Sequence, residues 1–466
     1  MDSSTASDID QNGPTDIVRR YAGNSPFRAA EAHELVNENN PFRRSVRPDD
    51  LDWLDYGGKF DRADVLLLSG LLGHRMLRNI YDADLLFLPT GGARTPSGTD
   101  GNAFYTNENR VRGHQAGVVL ENHLFSFLPG ERRDHSESTV VSAVDHVGAL
   151  FAERLDRPGR VFEVAAACRN RSEALTFALL QLTATTPAAN AAVARNLVGD
   201  YDTVHPGLRG LLLADYSAWA ASAEAYRTML GGCGLLGEPT AYWQFYLSSS
   251  LARGNHLHLV SRSHERFGEF LGAWVYKRLD EAVTSAAYGQ LVSDVFGADP
   301  AYFTGLGTDA TELGELVKAL LTPLADRFGP DIVRSFDNGF DDAHTLAGIW
   351  DEDLAVQLDW ADRLDEYKEK AEKLHYKLES EKIEVDLETF VESSEETSTT
   401  HVHDDHRLVV IEVGQMHFWN NVGKMIPMTE GDKLLIPATR LHGSVVLSGS
   451  CTYHQPVIPE DLLRTV

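Results

Sequence analysis

Two histidine pairs of the form His-x-His are the residues of this sequence whose type and spacing suit metal binding. His256 and His258 lie in "GNHLHLV", and His401 and His403 lie in "THVHDDHRLVVIEVG". Residues two apart point to the same face of a strand, but they lie about 200° apart around a helix. Such a pair can therefore share one metal ion only where it lies in a strand.

The sequence that follows each pair predicts different roles for the two pairs. His256 and His258 run on into "SRSHERFGEFLGAW", which has helical spacing, so we expect two histidines that face different directions and serve packing or the surface. His401 and His403 precede "RLVVIEVG", a β-type run, so their rings are expected to aim at one point inside a barrel.

A third ligand is available from the later stretch "TEGDKLLIPATRLHGSVV". Gly431 and Asp432 predict a turn, an apolar strand follows, and His442 comes after Pro437 and a short gap. This layout resembles the two motifs of the cupin family, in which a His-x-His pair, a turn glycine (here Gly414) and a later histidine strand build one metal site.

Cupins usually place a glutamate a few residues after the second histidine, and this chain does not. Asp404, Asp405 and His406 follow His403 instead. The predicted ligands are therefore three histidines, with Asp405 or His406 as additional candidates. Three neutral imidazoles suit Fe(II), one per chain, and leave positions open for substrate and dioxygen. Zinc is the alternative metal for the same ligands, and a metal-free cupin with three interior histidines is the alternative to a metal site.

The chain that positions these residues has 466 residues, which predicts two or three domains. Residues 140–360 carry apolar residues three and four apart, which predicts an all-α bundle. Short β-type runs separated by turn residues follow residue 400 and predict a small barrel. The fold class is therefore multidomain, with an all-α domain followed by a C-terminal all-β domain.

Charge and composition limit the partners. Lys and Arg number 42 against 69 Asp and Glu, a net charge of −27, which argues against nucleic acid and favours a small, cationic substrate. No apolar run is long enough to span a membrane. The acidic N-terminal residues lack the features of a signal peptide, so we expect a cytoplasmic protein in which Cys168, Cys233 and Cys451 are reduced.

Several stretches outside these motifs carry a closer resemblance. They are "NPFRRSVRPDDLDWLDY", "NIYDADLLFLP", "NAFYTNENR", "YWQFYLSSSL" and "RLHGS". Together they resemble the family of the N-nitrosourea synthase of streptozotocin biosynthesis, along nearly the whole chain. The resemblance implies an N-terminal helical dimerisation region, a central haem-oxygenase-like di-iron domain and a C-terminal cupin with one iron. The family's cupin has three histidine ligands and no glutamate, which matches His401, His403 and His442.

The resemblance also implies an activity and a set of domain boundaries. In the family, the di-iron domain hydroxylates nitrogens of an N-methyl-arginine guanidine, and the cupin rearranges the product oxidatively to form the N–N bond. The expected segments are a disordered tail (1–20), the N-terminal helical region (21–135), the haem-oxygenase-like domain (136–362), a charged helix and linker (363–399) and the cupin (400–466).

The central domain departs from the family at its metal ligands. A His-x3-Asp-x2-His pattern of the family falls on Gly305, Asp309 and Glu312. Asp215 occupies the place of a carboxylate on the preceding helix, and Ala225 that of a histidine. If a gap is allowed in the alignment, Ser222 takes the histidine position instead of Ala225. The glutamate that the family carries on its first helix falls near Ala184. Two irons need about six ligands, so Asp215, Asp309 and Glu312 are expected to be remnants of a lost site in a domain that serves as a scaffold.

A looser polar group, Asp200, Asp202 and His205, precedes "PGL" and is expected to be a polar helix end.

Two functions follow from these expectations. The first is a mono-iron cupin oxygenase that acts on a guanidine-like or N-hydroxylated substrate with dioxygen, as a homodimer. The second is a non-catalytic or differently acting homologue that binds a partner enzyme or a pathway intermediate. The sequence assigns no catalytic residue beyond the metal site.

Overall fold

The computed structural model describes residues 13–23, 54–85, 106–236, 242–393, 397–421 and 424–466. Contacts divide the chain into two compact units. Unit 1 draws on Met1–Leu124, Tyr242–Ser248 and Val356–Val466, and unit 2 on Phe125–Ala241 and Ser249–Ala355. Unit 1 thus combines N-terminal helices with the C-terminal strands, an association of distant segments that no sequence pattern had indicated.

The α-helices of the described residues are α1 (Pro14–Ala22), α2 (Leu68–Asp82), α3 (Asn107–Leu124), α4 (Leu128–Glu131), α5 (Val140–Asp156), α6 (Arg160–Ala167), α7 (Arg171–Leu197), α8 (Leu208–Gly232), α9 (Ser248–Val260), α10 (Phe267–Phe296), α11 (Ala301–Thr304), α12 (Ala310–Phe328), α13 (Pro330–Asp362), α14 (Leu364–Glu381) and α15 (Glu460–Leu463). Short 3₁₀ turns occupy Arg62–Leu66, Trp243–Phe245 and His264–Arg266. None of these helices combines the length and the apolar character that a membrane span requires.

Unit 2 is helical, as the apolar spacing predicts. Its core is formed by α5, α10, α12 and α13, with Trp274, Phe336 and Phe340 among the fully buried side chains. Helix α7 contains Pro187 and continues through it. Ala184, Ala188 and Ala189 are buried on both sides of it, and burial of this face outweighs the one backbone hydrogen bond that a proline removes.

The C-terminal part of unit 1 is antiparallel β structure, and the predicted order of an α-helical part followed by a cupin-like β part is confirmed. The strands are β1 (Thr389–Ser393), β2 (Thr397–His401), β3 (His406–Val413), β4 (Gln415–Asn421), β5 (Lys424–Thr429), β6 (Lys433–Ile436), β7 (His442–Val446), β8 (Ser450–His454) and β9 (Val457–Ile458). One sheet has the order β1-β8-β3-β6, with β9 paired to β3, and the other has the order β2-β7-β4-β5. Apolar side chains of both sheets, such as Ile411 and Phe418, share one core with Trp360 of α13.

Two expected segment boundaries need correction. The disordered tail expected for residues 1–20 is wrong from Pro14 onward, because α1 buries Val18 and Tyr21; residues 1–12 lie outside the described residues. The linker expected before residue 400 contains β1, which pairs with β8 along its whole length. Both segments look polar in the sequence because they have few apolar residues. In the structure, each is ordered by contacts with segments that are distant in the sequence.

The remaining expectations concern single elements. Helix α2 lies in the N-terminal region that the resemblance implies for dimerisation, and its Leu71, Met76 and Tyr81 are buried within unit 1. Its apolar face is therefore covered by the same chain, which removes the physical reason for a dimer through this helix. Cys168, Cys233 and Cys451 are buried free thiols, so none of the three forms a disulfide.

Candidate metal centre

His401, His403 and His442 converge in the β part of unit 1. One ring nitrogen from each lies within 4.8 Å of the others, and no other such group of histidine, cysteine or acidic residues occurs among the described residues. The ring centroids are 4.8 Å apart for His401 and His403, 4.6 Å for His401 and His442, and 5.0 Å for His403 and His442. The three histidines singled out by spacing therefore form one cluster.

Strand register explains this convergence. His401 is the last residue of β2 and His442 the first of β7, and the two are direct partners in the antiparallel pairing. Opposed residues in such a pair have side chains about 5 Å apart. His403 follows two residues beyond the strand, and its main-chain oxygen accepts a hydrogen bond from Thr439 N at 2.8 Å. The predicted turns are present at Gly414 (φ +97°) and at Gly431 (φ +87°).

Hydrogen bonds fix the tautomers of two rings. His401 Nδ1 donates to the main-chain oxygen of Thr399 at 2.9 Å, and His442 Nδ1 donates to that of Arg440 at 2.8 Å. A neutral imidazole that carries its hydrogen on Nδ1 has a free lone pair on Nε2. These backbone contacts therefore prepare both Nε2 atoms to act as metal ligands, as carbonyl partners do in known metal sites.

Burial keeps the rings of His403 and His442 neutral. His442 is 1% exposed, and burial lowers its pKa to about 3, with a further contribution from His401. Burial, together with His401 and His442, lowers the pKa of His403 well below its usual range. His442 Nε2 is buried and has no hydrogen-bond partner among the described residues. A buried lone pair without a partner is costly, and a metal ion held by three imidazoles would satisfy it, so the residues fit a divalent metal.

Side chains from distant segments support the strand of His401. Arg75 of α2 donates to the main-chain oxygen of Thr400 at 2.7 Å and to its hydroxyl at 2.9 Å. The Thr400 hydroxyl in turn donates to the main-chain oxygen of Gln244. Asp404 accepts a hydrogen bond from Leu68 N at 2.8 Å. Sequence reasoning missed these supports, because nothing in the spacing of α2 links it to the strand.

Gln455 is a further residue that sequence reasoning missed. It lies between β8 and β9, is 6% exposed, and places its side-chain Nε2 at 3.0 Å from His403 Nε2. A glutamine in "CTYHQPVI" carries no motif, so only the folded structure reveals its position beside His403.

Neither additional candidate ligand joins the three histidines. His406 Nε2 contacts Glu460 at 2.7 Å, and its Nδ1 accepts a hydrogen bond from Ala438 N at 3.0 Å, so both ring nitrogens are engaged. Asp405 is exposed. No glutamate takes their place among the ligand atoms of the cluster.

Comparison with known proteins extends the likeness beyond this site. No family model matches the chain. The chain is similar to the nitrosourea synthase of Streptomyces achromogenes subsp. streptozoticus, with 27% identity over 444 residues. The aligned region covers 94% of each protein. The similarity therefore includes both the helical part and the β part, and not the three-histidine site alone.

The three residues expected as di-iron remnants do not form a cluster. Asp215 of α8 accepts hydrogen bonds from Trp274 Nε1 at 3.0 Å and from Arg278 at 2.9 Å. Asp309 caps α12 by accepting a hydrogen bond from Glu312 N at 2.9 Å, and the Glu312 carboxylate accepts one from the Thr308 hydroxyl at 2.8 Å. Each carboxylate has a local structural partner.

A cleft lies among the helices of unit 2, and its acidic residues are paired with cations. Asp280 lies 2.9 Å from Arg154 and 2.7 Å from Arg253, and Glu281 lies 2.9 Å from Lys277. Burial opposes the ionisation of Asp280, but the charges of Arg253 and Arg154 hold its pKa below its usual range. These carboxylates would have to leave their cations before they could bind a metal.

The first histidine pair is buried on a helix. His256 and His258 lie on α9 and are 2% and 0% exposed. His256 Nε2 lies 3.7 Å from Asp342. Of the other polar group, Asp202 pairs with Arg209 at 2.8 Å and His205 Nε2 donates to Ala319 O at 2.9 Å. The expected packing and helix-end roles agree with these contacts.

Proposed function

We propose that this protein is an Fe(II)- and dioxygen-dependent oxygenase of the cupin type. Its substrate is a guanidine-like or N-hydroxylated compound derived from an amino acid, and its reaction is an oxidative rearrangement that forms an N–N bond in natural-product biosynthesis. The convergence of His401, His403 and His442 carries the proposal. The similarity to a nitrosourea synthase over 94% of the chain supports the class of reaction.

The donor set sets the chemistry of this centre. Three neutral imidazoles would hold one divalent ion and leave coordination positions open. A bound iron would supply one-electron chemistry with dioxygen. Zinc would fit the same three ligands but has no redox chemistry.

The chain's own residues orient and shield the site. The carbonyl oxygens of Thr399 and Arg440 hold the His401 and His442 rings, and the apolar core of both sheets, including Phe418 at 6.1 Å from the His442 ring, limits the access of water. A net charge of −27 favours the approach of a cationic guanidine.

The helical unit is proposed to be a scaffold without a di-iron centre. Asp215, Asp280 and Glu281 support this, because each is paired with a cation. The protein would then not hydroxylate a guanidine itself, and another oxygenase would have to supply a substrate whose nitrogens are already oxidised.

A comparison of two substrates tests the proposed function. N-methyl-arginine and its N-hydroxylated form are offered separately to iron-loaded protein, and N–N-bonded products are sought by mass spectrometry. We expect dioxygen consumption and product from the hydroxylated compound alone. His442→Ala should lose both iron and product, whereas His417→Ala, a histidine of β4 outside the cluster, should keep them.

The other outcomes contradict the proposal in different ways. Turnover of unmodified N-methyl-arginine would contradict the proposal that the helical unit is an inactive scaffold. Undiminished iron in His403→Ala would overturn the ligand assignment. Inertness toward both compounds, with one iron bound per chain, would reject this substrate class and favour a binding role, for which loss of ligand binding in His442→Ala is the measurement.

A further inference from the structure

The backbone around Gln455 is held on both sides. Its main-chain nitrogen donates to the oxygens of Leu387 and Glu388 at 3.0 and 3.1 Å, and its main-chain oxygen accepts from Arg407 at 3.3 Å. The side chain is buried, with 6% of the residue exposed. A glutamine fixed in this way has little freedom to turn away from the histidine cluster.

The side-chain amide selects the tautomer of His403. Gln455 Nε2 donates to His403 Nε2 at 3.0 Å, which requires the hydrogen of this ring to be on Nδ1. His401 and His442 carry theirs on Nδ1 as well, because both donate from Nδ1 to a carbonyl. All three rings therefore present the Nε2 lone pair that a metal ion needs.

The amide N–H and a metal ion cannot share that lone pair. A metal on His403 Nε2 would lie at about 2.0–2.1 Å, well inside the 3.0 Å contact with Gln455. A half-turn of the terminal torsion exchanges the amide nitrogen for its oxygen, which is an acceptor with two lone pairs. Side-chain amide oxygens are known metal ligands.

We propose that Gln455 is the fourth protein ligand of the three-histidine site and binds the ion through its carboxamide oxygen. This proposal rests on the metal site of the function proposed above. The position at which cupins carry a glutamate is filled here by Asp404, Asp405 and His406, none of which reaches the cluster. Gln455 supplies an oxygen donor from a different part of the chain.

The neutral amide has a consequence for the ion. A glutamate carboxylate would neutralise one of the two positive charges of a divalent metal ion. A neutral carboxamide neutralises neither of them. The site therefore holds a divalent ion less tightly than a carboxylate version of it would, and this gives the substitution Gln455→Glu a defined direction.

Cobalt(II) binding tests the proposal without turnover. Affinity is measured by competition with a chelator, and the visible absorption of bound cobalt reports its coordination. Gln455→Ala should weaken binding about 10-fold or more and change the spectrum, and Gln455→Asn, which shortens the amide's reach, should act alike. Gln455→Glu should bind more tightly than the wild type. Gln415→Ala, at an exposed glutamine of the same β region, should equal the wild type.

The signs of these changes separate the alternatives. If Gln455→Ala binds cobalt as tightly as the wild type, or more tightly, the amide is a bystander or a competitor and the proposal is wrong. If the wild type binds cobalt and His442→Ala does not, the metal site stands whatever Gln455 does. If the wild type itself binds no cobalt, the proposed function fails together with this inference. Circular dichroism identifies any variant that does not fold, and Gln455→Glu then carries the test.

Discussion

Arg75 of α2 donates to the main-chain oxygen of Thr400 at 2.7 Å, one residue before His401. The guanidinium is buried with the rest of its residue (5% exposed) and also reaches the Thr400 hydroxyl and the main-chain oxygen of Gln244. One buried cation thus holds three acceptors from two distant segments of unit 1. The geometry of His401 depends on this contact through the strand that carries it.

Replacement of Arg75 by methionine should destabilise unit 1 and loosen the three-histidine cluster. The buried main-chain oxygen of Thr400 would lose the Arg75 donor, at about 1–3 kcal/mol for an unsatisfied group, whereas the oxygen of Gln244 would keep the Thr400 hydroxyl. Urea unfolding followed by circular dichroism measures the loss, and cobalt affinity should fall with it. Arg112→Met is the control, because the Arg112 side chain is 43% exposed and its ion pair with Glu108 is worth less than about 1 kcal/mol. Equal unfolding midpoints for the two variants would contradict this account.

The β part of the site was predictable because its signals are local. The His-x-His spacing singled out His401 and His403, although β2 ends at His401 and His403 reaches the cluster from two residues beyond the strand. The turns at Gly414 and Gly431 follow from glycines whose φ is positive. The third histidine follows the second of these turns at a spacing that the resemblance to cupins interprets.

The supports of the site were not predictable because they join distant segments. Arg75 and Thr400 are separated by 325 positions, and Gln455 and His403 by 52. Residue type and periodicity report which face of an element is apolar, but they do not report which segment covers it. The same limit explains α1, which looked like a polar tail until its burial within unit 1 was visible.

The stability of unit 1 should fall in acid through His74. This residue of α2 is 0% exposed, and burial, with a contribution from His123, lowers its pKa to about 3. The unfolded imidazole titrates near 6.5, at about the ordinary value for histidine. Between these two pKa values the unfolded state binds more protons, so stability is present above pH 6.5 and is lost as the pH falls toward 3.

The expected loss from His74 is about 2 kcal/mol at pH 5. His74→Leu removes the titrating group, so its unfolding free energy should depend less on pH between about 7 and 5 than that of the wild type. Urea unfolding at several pH values gives both slopes. Identical slopes would show that His74 is not the group responsible.

The helical unit should form no di-iron centre. Asp280 is held between Arg154 and Arg253, and Asp215 is held by Arg278, so both carboxylates are already paired with cations. Protein is loaded anaerobically with excess Fe(II), exposed to dioxygen and examined by Mössbauer spectroscopy. We expect no spin-coupled di-iron(III) signal in the wild type or in His403→Ala. Such a signal in both would reveal ligands in unit 2 that the ion pairs conceal.

A homodimer is expected from the resemblance and not from exposed helix faces. Because α2 is covered within its own chain, a dimer has to use another surface. Light scattering at micromolar concentration should give twice the mass of the chain. Arg75→Met, which disturbs α2, should lower stability without a change in this mass. A monomeric mass for the wild type would contradict the expectation. A monomeric mass for Arg75→Met alone would indicate that α2 takes part in the dimer interface.

Gly443, next to His442, should tolerate no side chain. It pairs with Trp419 across β4 and β7, and a Cβ added at this position would collide with the Trp419 indole and lie 2.9 Å from Ser398 O. The strand cannot move away easily, because His442 and His401 are register partners on its other side. Gly443→Ala should therefore cost about 1–3 kcal/mol of unfolding free energy and weaken cobalt binding, since the strain falls on the first residue of β7.

Gly449→Ala is the matched control, because a Cβ there meets no atom within 4 Å. Both variants are compared with the wild type in urea unfolding and chelator competition. If Gly443→Ala keeps its cobalt affinity while losing stability, the Trp419 indole rather than the strand has absorbed the strain. If it loses neither, the close packing of Trp419 on Gly443 is wrong.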